Sequence, residues 1–448
     1  MGELRVDIPG TWAATREGRA GVDTDWVPHM GSPRLEALVR EALAHNPDLK
    51  IAAARVEQAR TFVKAAGAQR QPKLDMEGTG TKSERNFVGF PFGDGGVLSL
   101  NTEMYSLNFL ANWEVDLWGR IRASVSAAAA ATQAAELDAR AARSLVAAQT
   151  VRAWFALLEA NEQADLAQQA IAAAEDTEKS LEERFRTGQA GDQSGLGAQL
   201  RLARSDIQSA KSALEARKEA QGQSARALEL LLGRYPQGDR RTADRLPALT
   251  SPPPPGLPSE ILQRRPDILA AERRFAAQGM REKVALRALF PSFKLTGTLG
   301  SNTDNISRLL SSDFGVWSLG TNVSQPILTG GAALAEIRNR RGQQGEALAT
   351  LQKTVLHAFG EVENALEAEA FLRRREEFLS EAVRLATEAD AEARANFRQG
   401  LGDILTVLTT QQRAIQARSS LAALRRLRLD NRVSLHLAIG GDFQVREK

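Results

Sequence analysis

The strongest constraint on the 448-residue chain is an internal repeat. Asn46-Pro47-Asp48-Leu49 returns as Arg265-Pro266-Asp267-Ile268, and Pro72 and Gly78 return as Pro291 and Gly297, each pair 219 residues apart. Phe185-Arg186-Thr187-Gly188 returns as Phe397-Arg398-Gln399-Gly400, 212 residues apart. Matches in one order, at offsets that differ by one short loop, indicate duplication, so both halves must fold on one plan. The halves meet at Thr250-Ser251-Pro252-Pro253-Pro254-Pro255-Gly256, a stiff polyproline connector.

The pattern gives an N-terminal extended segment (1–32), a first repeat (33–250), the connector (251–257), a second repeat (258–441) and a tail (442–448). Each repeat reads helix, strand, strand, long helix, tight turn, return helix. The first opening helix starts at Ser32-Pro33, an N-cap followed by Pro at the first helical position, and runs toward Gln71-Pro72. Its copy runs from about Pro258 to Phe290-Pro291. Long helices are expected over about 119–187 and 330–399, which are rich in Ala, Leu, Glu, Gln and Arg and lack Pro. Their apolar residues, such as Val151, Trp154, Phe155 and Leu158, fall three and four apart, as in coiled-coil-like packing. Return helices are expected over about 192–232 and 403–437. A helix of ~68 residues is ~100 Å long. The return helix of one half, stacked on the opening helix of the other, matches that length, which predicts four helical columns side by side.

Strands are expected over about 73–82, 104–116, 292–300 and 316–324. Tyr105, Leu107, Phe109, Ala111, Trp113 and Val115 alternate with Ser106, Asn108, Asn112, Glu114 and Asp116, with Leu110 the exception. Trp317, Leu319, Thr321 and Val323 alternate in the same way with Ser318, Gly320, Asn322 and Ser324. Such strands suit a small soluble sheet packed on helices, or a transmembrane β-barrel with lipid outside and water inside. The helices already face one another, and Tyr105, Trp113, Trp118 and Trp317 lie where membrane-interface aromatics would, which favours the barrel. Tyr105, Leu107, Phe109, Trp113, Trp317 and Leu319 are then the lipid-facing residues. Four strands cannot close a barrel, and an open sheet edge does not persist in lipid. The chain must therefore oligomerise, and three copies give the simplest water-filled closure.

Composition narrows the function. With no Cys there is no disulfide, thiolate metal site or thiol nucleophile, and four scattered His do not make a zinc site. Lys+Arg 58 against Asp+Glu 55 leaves no basic surface for nucleic acid. No apolar run is long enough for a transmembrane helix. No phosphate loop, His-Glu-x-x-His or calcium loop is present, so neither enzyme activity nor a cofactor is expected. Glu361 and Glu363 read as solvated helix face.

Four stretches carry a family resemblance: Leu38-Val39-Arg40-Glu41-Ala42-Leu43-Ala44-His45-Asn46-Pro47-Asp48-Leu49, Trp113-Glu114-Val115-Asp116-Leu117-Trp118-Gly119-Arg120, Arg264-Arg265-Pro266-Asp267-Ile268, and Phe397-Arg398-Gln399-Gly400 with Asp403-Ile404-Leu405. With the duplicated plan, they resemble the TolC-type outer-membrane efflux channels, in the NodT-like lipoprotein branch that serves resistance-nodulation-division pumps. The resemblance implies a mainly α fold with β: a homotrimer whose 12-stranded outer-membrane β-barrel continues into a 12-helix periplasmic α-barrel. It implies passive export of drugs or other small molecules, with outer-membrane lipid, a periplasmic adaptor (membrane-fusion) protein and an inner-membrane resistance-nodulation-division pump as partners. By the same carry-over, Arg186, Thr187, Gly188, Gln189, Arg398, Gln399, Gly400 and Leu401 are adaptor-docking tip turns. Asp403, and Asp192 in a turn offset by one residue, match the position from which family members point carboxylates into the closed periplasmic gate; salt links between neighbouring helices through Arg394 or Arg398 are expected to hold it shut, and both aspartates also suit helix N-caps. Channels of that branch begin with a lipidated Cys after a signal peptide. Neither is found at Met1 to Thr11, which reads as a trimmed or mis-set start. The alternatives are a channel for type I protein secretion or metal-ion export, for which five unclustered Met give no soft-metal path, and a soluble coiled-coil scaffold.

Overall fold

The computed structural model describes residues 8–14, 26–30, 32–87, 98–186, 193–240, 242–249 and 253–441. The fold is mostly helical, with one antiparallel sheet. In chain order the elements are α1 (Pro33–His45), α2 (Pro47–Ala68), β1 (Lys73–Phe87), β2 (Leu98–Val115), α3 (Arg120–Arg186), α4 (Gln193–Leu231), α5 (Pro258–Arg264), α6 (Pro266–Arg287), β3 (Ser292–Thr303), β4 (Gly315–Ser324), α7 (Ala332–Arg398) and α8 (Ile404–Ala438). Contacts divide the chain into two units. One comprises Arg55–Glu136 and Ala270–Leu351 and holds the sheet; the other comprises the described parts of Arg5–Ala54, Leu137–Leu269 and Gln352–Lys448.

In the sheet unit the strand order is β1-β2-β3-β4, every pairing antiparallel. The first hairpin is longer than its alternation suggests, because β1 reaches Phe87 and β2 begins at Leu98. Pairing with β3 covers only Tyr105 to Val115 of β2, so its first seven residues pair with β1 alone.

In the helical unit, side-chain bonds give the lateral order α4-α3-α8-α7. Gln221 of α4 bonds Asn161 of α3 at 2.7 Å. Ser419 of α8 bonds Gln163 of α3 at 2.6 Å. Arg428 of α8 reaches Glu369 and Glu376 of α7, each at 2.9 Å. The main core joins Leu35, Val39 and Ala42 of α1, the Val146–Leu158 stretch of α3, Leu228 of α4 and Val433 of α8 beneath Trp26 and Val27. Truncating one of these fully buried leucines costs ~2–5 kcal/mol.

Two sequence expectations are corrected here. Each opening helix is broken: α1 stops at Asn46 (φ −58, ψ 129) and α5 at Arg265 (φ −77, ψ 117). The physical reason is Pro47 and Pro266, since a residue before proline is driven out of the α region. The stacking also lies within each half, not across halves. Asn46, freed by its break, donates Nδ2 to Leu231 O at the end of α4 (2.9 Å), and its Oδ1 accepts Asp48 N (2.8 Å). Arg265 donates Nη1 to Ala438 O at the end of α8 (3.2 Å). Each break thus satisfies an orphan carbonyl of its own half's return helix. Glycines permit the close approach: a Cβ on Gly233 would stand 2.8 Å from His45 O, and one on Gly440 2.9 Å from Arg264 Cβ.

The second break is ionic. Arg265 Nη2 meets Asp267 Oδ2 at 2.7 Å, and Nη1 meets Glu361 Oε2 at 2.6 Å. Burial opposes ionisation of Asp267, but the Arg265 hydrogen bonds and charge outweigh it and hold the carboxyl below its ordinary range. Glu361 and Glu363 are therefore not merely solvated. Glu363 accepts Ala13 N (2.7 Å) and Ala14 N (3.0 Å), next to Trp12, which is buried and donates Nε1 to Gly256 O at 2.9 Å. These partners are remote in sequence, so helical periodicity could not show them.

Candidate channel wall, junction and tip

One face of the sheet is apolar from edge to edge. Met76, Phe109, Leu299 and Trp317 lie in one row; Leu74, Ala111, Gly297 and Leu319 lie in the next. Trp317 and Leu319 are each 79% exposed, Phe109 43% and Trp113 37%, while Tyr105 and Leu107 are half-buried against neighbours in the sheet. The opposite face carries Asp75, Glu77, Thr79, Asn108, Asn112, Glu114, Lys294 and Thr296. The apolar face ends where Lys82 ion-pairs with Glu103. From Tyr105 to Val115 the band is ~33 Å along the strand at ~3.3 Å per residue, and a tilt of ~40° projects it to ~25 Å, the height of a barrel's lipid belt.

Trp113–Arg120 turns β2 into α3, and nearly every side chain there has a mechanical task. Trp113 Nε1 donates to Arg70 O at 2.8 Å. Glu114 accepts Arg120 Nη2 at 2.7 Å. Asp116 caps α3, accepting Ile121 N (2.9 Å) and Arg122 N (2.8 Å). Trp118 donates to Pro291 O at 2.9 Å and stacks on Phe290, centroids 5.1 Å apart. Gly119 takes φ +76, and its carbonyl accepts Arg287 Nη1 at 2.6 Å. The two tryptophans do sit at the sheet border, but their indole N–H groups are committed to backbone carbonyls. The second repeat has no such clasp: Ile327 and Leu328, between β4 and α7, are 94% and 93% exposed.

At the far end of the helical unit, Leu181, Ala203, Ala393, Phe397, Ile404 and Val407 form a small core that gathers α3, α4, α7 and α8. Arg184 lies over the Phe397 ring, 4.3 Å from its centroid. Of the tip residues singled out in the sequence, Thr187, Gly188, Gln189 and Asp192 lie outside the described residues. Arg186, Arg398, Gln399 and Leu401 are exposed, Leu401 by 78%. Gly400 takes φ +84, and its N–H closes the helix on Phe397 O at 3.0 Å. Gly402 was missed by sequence reading. A Cβ there would stand 3.1 Å from Phe397 N.

Arg394 pairs with Asp390 at 2.9 Å, one turn back on its own helix. Arg398 Nε reaches Arg394 O at 3.4 Å. Asp403 stands at the N-cap position of α8, yet its side chain makes no cap hydrogen bond and is exposed. Its carboxylate is thus not spent on its own helix. Among the described residues no cluster of His, Cys, Asp or Glu could hold a metal ion, and no helix is long and apolar enough to cross a membrane.

The family of outer membrane efflux proteins has a sequence model that matches residues 38–234 and 257–441, one segment in each repeat. The chain belongs to the outer membrane efflux protein family. Outer membrane protein OprJ of Pseudomonas aeruginosa is 30% identical over 406 residues, covering 89% of this chain and 82% of OprJ. Cation efflux system protein CusC of an Escherichia coli O6:H1 strain is 28% identical over 422 residues, covering 94% of this chain and 88% of CusC. The outer-membrane channel OprN superposes with a TM-score of 0.86 at 25% identity, covering 99% of this chain and 98% of OprN. Family membership gives the two sheet faces their setting, an outer membrane.

Proposed function

We propose that three copies of this chain close into the exit duct of a tripartite efflux system. The duct crosses the outer membrane as a twelve-stranded barrel and receives cargo through the helical tip from an inner-membrane pump and a periplasmic adaptor. One observation carries the reading: a four-stranded sheet with an apolar outer face and, among the described residues, no strand partner on the free edge of β1 or β4. In lipid each unpaired backbone group costs several kcal/mol, so the edges must find strands on other copies. Conduction is passive and needs no catalytic group. The apolar face meets lipid, and the face bearing Asp75, Glu77 and Asn108 lines the water.

The tip turns dock the adaptor, and Asp403 and Arg398 contribute to the gate. The uncommitted Asp403 carboxylate supports that reading, because three such charges around an axis repel one another and attract cations. Cargo is set by the pump; relatives named for cations, pyoverdine or antibiotics share this fold. The test is single-channel recording in planar bilayers. The purified protein should give discrete conductances, and Asp403→Ala with Arg398→Ala should raise them. No current from the wild-type protein would contradict the duct; an unchanged conductance in the double variant would remove these residues from the gate.

A further inference from the structure

Beyond Tyr105 the first hairpin leaves the four-stranded sheet and continues as a two-stranded ribbon, from Thr81 opposite Met104 to Phe87 opposite Leu98. Along this ribbon the facing inverts. The side continuous with the lipid face becomes polar: Lys82 pairs with Glu103, Ser99 donates to Asn86 at 2.6 Å, and Glu84 and Asn101 lie between them. The side continuous with the wet face gains large apolar side chains among small hydroxyls: Met104 and Leu100 are each 53% exposed, Phe87 lies further out, and Thr81, Ser83 and Thr102 stand between them. Arg85, opposite Leu100, is the charge on that side.

A hairpin that only extended the lumen wall would keep polar residues toward the water. This one places large apolar side chains there and keeps its outer side polar, as in a strand pair that has left the lipid and is covered from within. The ribbon is ~24 Å long at ~3.4 Å per residue, and among the described residues no third strand holds it in the plane of the wall. We infer that the ribbons of three copies lean inward and meet through Met104 and Leu100, forming an apolar collar across the outer mouth of the duct. The occupant of each apolar face is the same face of the other two copies. The inference rests on the trimeric duct proposed above. A collar of this kind narrows the exit by excluding water, as hydrophobic constrictions do in other pores, and the three Arg85 guanidiniums at its level disfavour small cations.

The chain has no native Cys, so cross-linking has no background. Full-length protein carrying Leu100→Cys is oxidised in detergent and run on a denaturing gel. A disulfide needs Cα atoms within ~7 Å, so the collar predicts linked pairs comprising at most two of every three chains. Asn101→Cys, on the polar side, should give none. If Leu100→Cys does not assemble, Met104→Cys on the same face carries the same test. A trimer by mass with no cross-link, or with equal cross-linking from Asn101→Cys, overturns the collar and leaves the duct standing. Absence of a trimer overturns the duct itself.

Discussion

The two repeats break their opening helices at equivalent prolines and use the breaks for the same purpose, but with different chemistry. At Asn46 a neutral amide, 3% exposed, satisfies the end of α4 and starts α2 with two hydrogen bonds. At Arg265 a guanidinium, 8% exposed, satisfies the end of α8 while also holding Asp267 and Glu361. The neutral form is complete in itself. The ionic form adds a tie to α7, and it makes the joint dependent on three charges. Duplication thus preserved the backbone requirement and left the side chain free to diverge.

Unequal consequences follow for the two joints. Arg265→Ala should be the most damaging, lowering stability by ~3 kcal/mol, because it strands partly buried carboxylates as well as the Ala438 carbonyl. Asn46→Ala should cost less, ~1–2 kcal/mol, the loss of two neutral hydrogen bonds at a buried site. Thermal dissociation of the assembled protein would rank them; the reverse order would break the comparison. Acid should separate the joints further. The Asp267 carboxyl is held below its ordinary range. Its stabilisation is therefore fully present above the unfolded value of ~4 and is lost as pH falls through the lowered folded value. Wild type should lose its advantage over Asp267→Asn below pH ~4, whereas the effect of Asn46→Ala should not change with pH. The smallest effect belongs to Glu361→Gln. With its carboxylate half exposed, the change should cost under ~1 kcal/mol; a larger loss would mean that α7 depends on this tie.

Periodic features were legible in the sequence. The long helices, the alternation from Tyr105 to Val115 and the duplicated tip turns all repeat at fixed spacing, and local physics sets that spacing. The broken opening helices were also written there, in Pro47 and Pro266, but helical apolar spacing on both sides hid the break. What the freed Asn46 and Arg265 do was not legible, because Leu231 and Ala438 lie 185 and 173 residues away. The outer ribbon was missed because its apolar positions change sides. At the tip, Gly400 was readable as a positive-φ helix end, while the tight approach of Gly402 to Phe397 depends on the turn's exact path.

The central claim is that the sheet is finished only by other copies of the chain. Native mass measurement of the detergent-extracted protein tests it directly. Three chains per particle are predicted, dissociating to single chains when Phe109→Arg places a charge at the middle of the lipid belt, at ~2–4 kcal/mol per copy. A folded single chain that stays in solution without detergent would contradict the account.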